Sequence, residues 1–313
     1  MNTLPLAITS GDCAGIGPEI TARAIAQFPS ETFLLYTNRA LFERACHTAG
    51  VRIPENLIWQ EIPLGCNPNE IQPGQNQAAT GGLAYQAVLR AGQDILAGNA
   101  RALITAPFSK AALHLAGHTD VPGHTEILAR LCGREEATMA FFSPKLLVSL
   151  VTIHCALREV PDLITPERLL RVLKDTATAT QRLLKRRPKI GVLALNPHAG
   201  EAGAFGNEET KVILPTLQVA QQWADFEGPL VPDTALIPAP HKPHYDAFVA
   251  MYHDQGLIPF KQVAFDCGVN ATLGLPIIRT SPDHGTAFDL AWQGKASAQS
   301  MIQAIAYAKE LSQ

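Results

Sequence analysis

The chain has 313 residues, enough for about two domains and for a core that hides roughly three quarters of its unfolded surface. With 47% hydrophobic and 17% charged residues it is neither a disordered chain nor a collagen-like or coiled-coil one. Its 25 basic and 28 acidic residues give a net charge of -3, which excludes an overall basic, nucleic-acid-type footprint and still allows a local cationic pocket.

Short apolar runs alternate with longer amphipathic ones. Residues 4–10 read as a strand ending in the glycine-rich turn Gly11-Asp12-Cys13-Ala14-Gly15-Ile16-Gly17, and Pro18 opens a helix to about residue 28. A buried strand over 33–37 precedes a helix capped by Asn38 and stopped by Gly50. A strand at 57–62, a Pro- and Gly-rich loop at 63–76 and a long helix over 78–98 follow, then a strand at 102–105. Residues 109–116 and 125–131 read as helices, 138–142 and 146–154 as strands, and 166–187 as a long helix. Further strands are expected at 190–195, 248–252 and 277–280, and helices at 208–223 and 297–311. Such alternation indicates an α/β protein with parallel or mixed sheets.

No apolar run approaches the ~18 residues needed to span a bilayer, and residues 1–4 lack the charged and apolar regions of a signal peptide. The six cysteines, Cys13, Cys46, Cys66, Cys132, Cys155 and Cys267, form no C-x-x-C pair and read as free, mostly buried thiols. A reducing compartment is therefore expected, and with it a cytoplasmic protein with no membrane or nucleic-acid partner.

Chemistry-bearing residues gather where apolar runs end, the place at which open α/β sheets bind ligands. His154 follows the run at 146–153. Asn196-Pro197-His198-Ala199-Gly200-Glu201 follows the strand at 190–195. Met251-Tyr252-His253-Asp254-Gln255-Gly256 follows the strand at 248–250. One histidine at a strand end is more often a hydrogen-bonding structural residue than a ligand. Three in the same position suit a divalent ion with an open coordination position. Lys110, in Thr105-Ala106-Pro107-Phe108-Ser109-Lys110, and Gly123-His124-Thr125-Glu126 both open helices whose free N–H groups favour anions. The bland alternative there is a Thr125 N-cap and a solvated Lys110. Lys261, Asn270 and Arg279 stand in turn-rich apolar sequence and suit a phosphate or a carboxylate. The spacing G-x-x-x-G-x-G from Gly11 matches neither the dinucleotide fingerprint nor a P-loop.

Together the segments Ala14-Gly15-Ile16-Gly17-Pro18-Glu19, Pro122-Gly123-His124-Thr125-Glu126, Asn196–Glu201, Tyr252-His253-Asp254-Gln255-Gly256-Leu257, Asn270-x-Thr272-Leu273-Gly274-Leu275-Pro276 and Arg279-Thr280-Ser281-x-Asp283-His284-Gly285-Thr286-Ala287 resemble the 4-hydroxythreonine-4-phosphate dehydrogenase family, in order, over residues 7–291. The resemblance implies a two-domain α/β/α fold like that of isocitrate and isopropylmalate dehydrogenases. The lobes would be residues 1–130 with 280–313 and residues 131–279, with the active site in the cleft between them. It implies a homodimer with shared active sites, a cofactor NAD or NADP, and one divalent ion (Zn, Co or Mg) on His154, His198 and His253.

The implied substrate-binding residues are His124, Thr125, Lys261, Asn270 and Arg279, and Lys110 is added to them from its own place at a helix start. Asp233, in a stretch of altered length, and Lys261 are the implied catalytic residues. His284, Gly285, Thr286, Ala287 and Asp289 resemble an adenosine-binding loop. Cys13 and Trp292 depart from the family pattern, standing where Pro and a small residue are usual.

The implied reaction oxidises the C3 hydroxyl of 4-phosphooxy-L-threonine and releases CO2, leaving 3-amino-2-oxopropyl phosphate for pyridoxal phosphate biosynthesis. Competing readings are a paralogous dehydrogenase of threonate or erythronate 4-phosphate, a dihydrodiol dehydrogenase, a non-redox metal-dependent phosphate-ester lyase or hydrolase, and an inert binder of phosphorylated metabolites.

Overall fold

The computed structural model describes residues 4–120, 123–237 and 244–313. Pro122, the first residue of the 122–126 segment, lies outside them. In chain order the first stretch contains β1 (Leu6–Thr9), α1 (Gly17–Ile25), β2 (Phe33–Thr37), α2 (Arg39–Ala49), β3 (Leu57–Glu61), α3 (Ala78–Leu96), β4 (Leu103–Thr105), α4 (Lys110–Leu115) and α5 (His124–Leu131). Then come β5 (Thr138–Phe142), β6 (Leu147–Leu150), α6 (Val160–Leu163), α7 (Pro166–Leu184), β7 (Lys189–Leu193), α8 (Leu214–Ala220), β8 (Asp225–Leu230), α9 (Pro232–Ala235), β9 (Ala247–Ala250), α10 (His253–Ala264) and β10 (Val269–Leu273). The chain closes with β11 (Arg279–Pro282) and α11 (Gln299–Leu311).

It divides into two compact units, Met1–Ala137 with Leu275–Gln313, and Thr138–Gly274. In the first, five parallel strands run in the order β3-β2-β1-β4-β11. The apolar side chains of β1, β2 and β4 are buried on both faces, as expected of a parallel sheet covered by helices, whereas the edge strand β3 leaves Ile58 exposed. Leu83, Ala87, Val88 and Ala91 of α3 share a core with Ala7, Leu34, Tyr36 and Leu103.

The second unit has the order β10-β5-β6-β9-β7-β8, antiparallel at β10/β5 and β5/β6 and parallel from β6 onward. Alternate residues face opposite cores. Ile190, Val192, Ala247 and Val249 pack with Leu169, Val172 and Leu173 of α7. Leu193, Phe248 and Ala250 pack with Leu257 and Phe260 of α10. α7 forms because its apolar residues recur three and four apart, Thr165 caps it by accepting from the Arg168 N–H at 3.3 Å, and Pro166 takes the first turn.

Several expectations shift. β8 is not among the expected strands, and Gly228-Pro229 lies within it. As the outermost strand of its order it needs ladder bonds on one side only, which tolerates proline. α10 is not among the expected helices: Pro259 lies inside a 12-residue helix whose Gly256, Leu257, Phe260 and Ala264 are buried. β10 was read as turn-rich sequence and pairs fully with β5. Glu209–Ile213 is a wide π-type turn before α8 rather than regular helix. β6 ends at Leu150, although the Val151 and Thr152 amides still reach the Ala250 and Met251 carbonyls at 2.9 and 3.1 Å. The N-cap of α5 is Gly123, so Thr125 lies within the helix rather than capping it.

Candidate active site

The histidines of the second unit share one edge because of strand order. β6, β9 and β7 are parallel neighbours, with Leu150 opposite Ala250 and Val192 opposite Val249. The residues that leave their C-terminal ends, His154, His253 and the Asn196 segment, therefore emerge side by side. Two side chains lock these exits. The Thr152 hydroxyl donates to the Met251 carbonyl at 2.8 Å. Gln255 accepts from the Met251 N–H at 2.7 Å and donates to the Ala194 carbonyl at 2.8 Å.

His154 and His253 come together, their ring centroids 5.9 Å apart. Two imidazoles on one ion can stand no more than roughly 6.5 Å apart, centre to centre, given metal–nitrogen bonds near 2.1 Å. The pair therefore fits a shared cation. His253 Nδ1 lies 2.7 Å from Asp254 Oδ1, which leaves Nε2 for a ligand in the usual carboxylate–histidine arrangement. His198 is not gathered in with them: its Nδ1 lies 3.3 Å from Glu201 Oε2 and its ring is edge-on to Phe205. Among the described residues no three His, Cys, Asp or Glu side chains form a group able to hold a metal. Lys261 lies on α10 with its Nζ 5.7 Å from the Phe265 ring centroid, Asn270 is half-buried on β10, and Asp233 is exposed in the first turn of α9.

The anion-binding candidates of the first unit surround the turn after β4. Ser109 caps α4, and Lys110 is the exposed first residue of that helix. His124 opens α5 and stacks on Phe108, centroids 3.7 Å apart. Its Nε2 is buried without a hydrogen-bond partner. Burial first, then the Arg279 cation, hold His124 well below the usual imidazole range; the Ala106 carbonyl opposes them. The ring is neutral, and with one nitrogen donating to Ala106 the other offers a lone pair. Arg279, 4% exposed, donates from Nε and Nη2 to Thr105 Oγ1 at 3.0 and 2.8 Å. Burial pulls its guanidinium down to about 10, with Glu126 opposing, so it stays cationic.

The 283–289 loop rests on the glycine-rich N-terminal loop. The Ile16 N–H donates to the Thr286 carbonyl at 3.0 Å. A Cβ on Gly15 or Gly74 would come within 2.9 Å of the Thr286 or 2.8 Å of the Phe288 carbonyl oxygen. Buried Glu19 accepts from the Trp292 and Gly294 N–H groups. Thus anchored, the loop exposes His284, Gly285 and Asp289, and holds Ala287 in left-handed backbone. Exposed donors and acceptors on a fixed loop fit a nucleotide. Gln255, Glu19 and Glu209 position these segments and were missed in the sequence, where nothing local marks their distant partners.

The profile described as "Pyridoxal phosphate biosynthetic protein PdxA" matches residues 29–308. The chain belongs to the PdxA family. It is 46% identical to the 4-hydroxythreonine-4-phosphate dehydrogenase of Geobacter metallireducens, over 99% of this chain and 96% of that protein. It is 42% identical to the D-threonate 4-phosphate dehydrogenase of Salmonella typhimurium, over 100% of both. The crystal structure of 4-hydroxythreonine-4-phosphate dehydrogenase from Klebsiella pneumoniae superposes with a TM-score of 0.86 at 37% identity, covering 100% of this chain and 99% of that one. The chain is thus a PdxA-type dehydrogenase with a mixed α/β fold, and no described helix is long and apolar enough to cross a membrane.

Proposed function

We propose that this protein oxidises and decarboxylates 4-phosphooxy-L-threonine to 3-amino-2-oxopropyl phosphate, with NAD or NADP and a divalent ion, in pyridoxal phosphate biosynthesis. The observation that carries the reading is the 5.9 Å pairing of His154 and His253 at the ends of adjacent parallel strands, beside the strand that leads to His198. His154, His198 and His253 would hold a zinc, cobalt or magnesium ion. When bound, the ion supplies a Lewis acid to the alcohol oxygen and the nicotinamide accepts the hydride.

The chain's own residues bind and orient. Arg279, Lys261, Lys110 and Asn270 take the phosphate and carboxylate, so that binding energy remote from C3 fixes its position. Thr125 adds a hydroxyl. The neutral His124 accepts a hydrogen bond from the substrate rather than donating to an anion. Asp233 and Lys261 are the groups assigned to proton transfer. His284, Gly285, Thr286, Ala287 and Asp289 hold the adenosine end of the cofactor.

The α10 surface supports a homodimer with shared sites: Ile258 and Phe265, 60% and 75% exposed, flank Lys261. The described cysteines are all free, which supports a cytoplasmic location.

D-threonate 4-phosphate is the second substrate reading, because relatives of both names align along nearly the whole chain. The test is formation of NADH or NADPH with each phosphorylated acid, with and without a chelator. Turnover of 4-phosphooxy-L-threonine alone, lost on chelation, is expected. Preference for the hydroxy acid would move the assignment to the second reading. Product release without reduced cofactor would reject both in favour of a lyase or hydrolase.

A further inference from the structure

The cofactor loop at 283–289 runs on into a segment that returns to the glycine-rich loop, and Cys13 and Trp292 meet there. The indole Nε1–H of Trp292 donates to the Cys13 carbonyl at 3.0 Å. The ring is half-buried and packs, with Phe288, against the core that holds Cys13 and Ala14. The Arg44 guanidinium lies over it, 4.5 Å from the ring centroid. Both residues stand outside the family pattern, and one hydrogen bond joins them.

The backbone at this point is fixed as well. The N–H groups of Trp292 and Gly294 donate to Oε1 and Oε2 of the fully buried Glu19. Arg23, one turn further along α1, donates from Nη1 to the Ala296 carbonyl at 2.8 Å. Trp292 is held at φ 60° and Ala287 at φ 40°, left-handed conformations that L-residues keep only where their surroundings impose them. At its other end the loop is tied by the Ile16 N–H, which donates to the Thr286 carbonyl at 3.0 Å. Residues 286–292 are thus bridged to the glycine-rich loop at both ends, by main chain at Thr286 and by a side chain at Trp292. Packing alone does not require an indole N–H aimed at a carbonyl; a phenyl ring fills such a space with no donor to satisfy.

We propose that Trp292 is a positioning residue for the dinucleotide: its indole fastens the cofactor loop to the glycine-rich loop at Cys13 and so holds ready the conformation that takes the adenosine end. Trp292 acts through the loop. A loop fastened before binding spares the dinucleotide the work of ordering it, so apparent affinity follows the fraction of molecules with the loop in place. The inference rests on the proposed reading of His284, Gly285, Thr286, Ala287 and Asp289 as the adenosine-binding loop.

The test is calorimetric titration of the full-length protein with ADP-ribose or its 2′-phosphate, whichever the parent binds more tightly, for the parent, W292F, W292G, H284A and D289A. Circular dichroism and thermal midpoint of each protein are measured alongside. W292F keeps a ring beneath Arg44 and loses the donor. It is expected to weaken binding about 3- to 10-fold, the worth of one neutral hydrogen bond. W292G suits the left-handed backbone but also loses the ring, and should weaken binding in the same direction. In turnover, W292F should raise KM for NAD or NADP and leave KM for the phosphorylated acid nearly unchanged. Parent-like affinity in W292F, beside weakened H284A and D289A, would overturn this inference and leave the loop reading standing, even if the variant melts earlier. An equal rise in both KM values would assign the loss to general loosening and overturn it too. Parent-like affinity in H284A and D289A would overturn both readings. If W292F does not fold, W292G decides.

Discussion

The imidazole of His124 lies against the ring of Phe108 with centroids 3.7 Å apart and planes at 23°, its Nε2 buried. Burial and the nearby Arg279 keep the ring neutral in the folded protein. The unfolded chain protonates this histidine below pH about 6.5, so there it binds more protons than the folded one. Stability therefore falls as pH drops below about 6.5, by up to roughly 1.4 kcal/mol per pH unit from this group. In His124→Asn that share vanishes. Urea unfolding of both proteins between about pH 7 and pH 5 should show the parent losing stability relative to the variant. Parallel curves would mean that the ring titrates normally.

Two adjacent glycines on α3 should respond in opposite directions. A Cβ on Gly81 would meet the Ala112 carbonyl oxygen at 2.1 Å, where α3 crosses α4, whereas one on Gly82 finds nothing nearer than the Ala116 Cβ at 3.8 Å. Gly81→Ala forces the helices apart and should cost about 1–3 kcal/mol. Gly82→Ala removes backbone freedom from the unfolded chain and should stabilise by about 0.5–1 kcal/mol. Chemical denaturation midpoints of the two variants check the pair of signs.

What the sequence reveals depends on how local the cause is. The Asn38 cap, which accepts from the Leu41 N–H at 3.3 Å, and the Gly50 stop at φ 68° act within a few residues, and α2 has the expected bounds. The strand-end placing of the histidines was visible because apolar runs delimit strands. β8 and α10 were hidden because Gly228-Pro229 and Pro259 are strong turn signals that tertiary context overrides. The supports of the site were invisible for another reason. Glu209 reaches back 13 residues to the Asn196 N–H, and Gln255 reaches 61 to the Ala194 carbonyl. No spacing rule connects such pairs. Long stretches of chain also separate the histidine-bearing segments, so their shared edge follows from the strand order β6-β9-β7 and not from any local motif.

The six thiols should divide into two classes. Cys13 and Cys46 are buried. Burial, with the Asp12 charge adding, pushes the Cys13 thiol up to about 12, and burial with Glu43 pushes Cys46 up to about 11. Thiolate is the reactive form, so both should resist an aromatic disulfide reagent until the protein unfolds. Cys66, Cys132, Cys155 and Cys267 are partly exposed and should react first. Native and denatured titrations, with peptide mapping of the labelled sites, distinguish this from uniform reactivity, which would contradict the burial of the glycine-rich loop.

Thr105 helps to orient Arg279, taking two of its N–H groups on a single hydroxyl oxygen. A buried guanidinium that loses such a partner keeps its charge and loses its aim, because a desolvated fork binds an anion well only at a fixed angle. A hydrogen bond to a charged group contributes about 1.5–3 kcal/mol. Thr105→Val should therefore lower kcat/KM for the phosphorylated substrate at least about tenfold. The loss should fall mainly on KM if Arg279 holds a part of the substrate that does not react. Thr105→Ser restores the hydroxyl without the methyl group and should recover most of the loss. Equal impairment in both variants would assign the effect to the packing of β4, and undiminished activity in Thr105→Val would remove Arg279 from substrate binding.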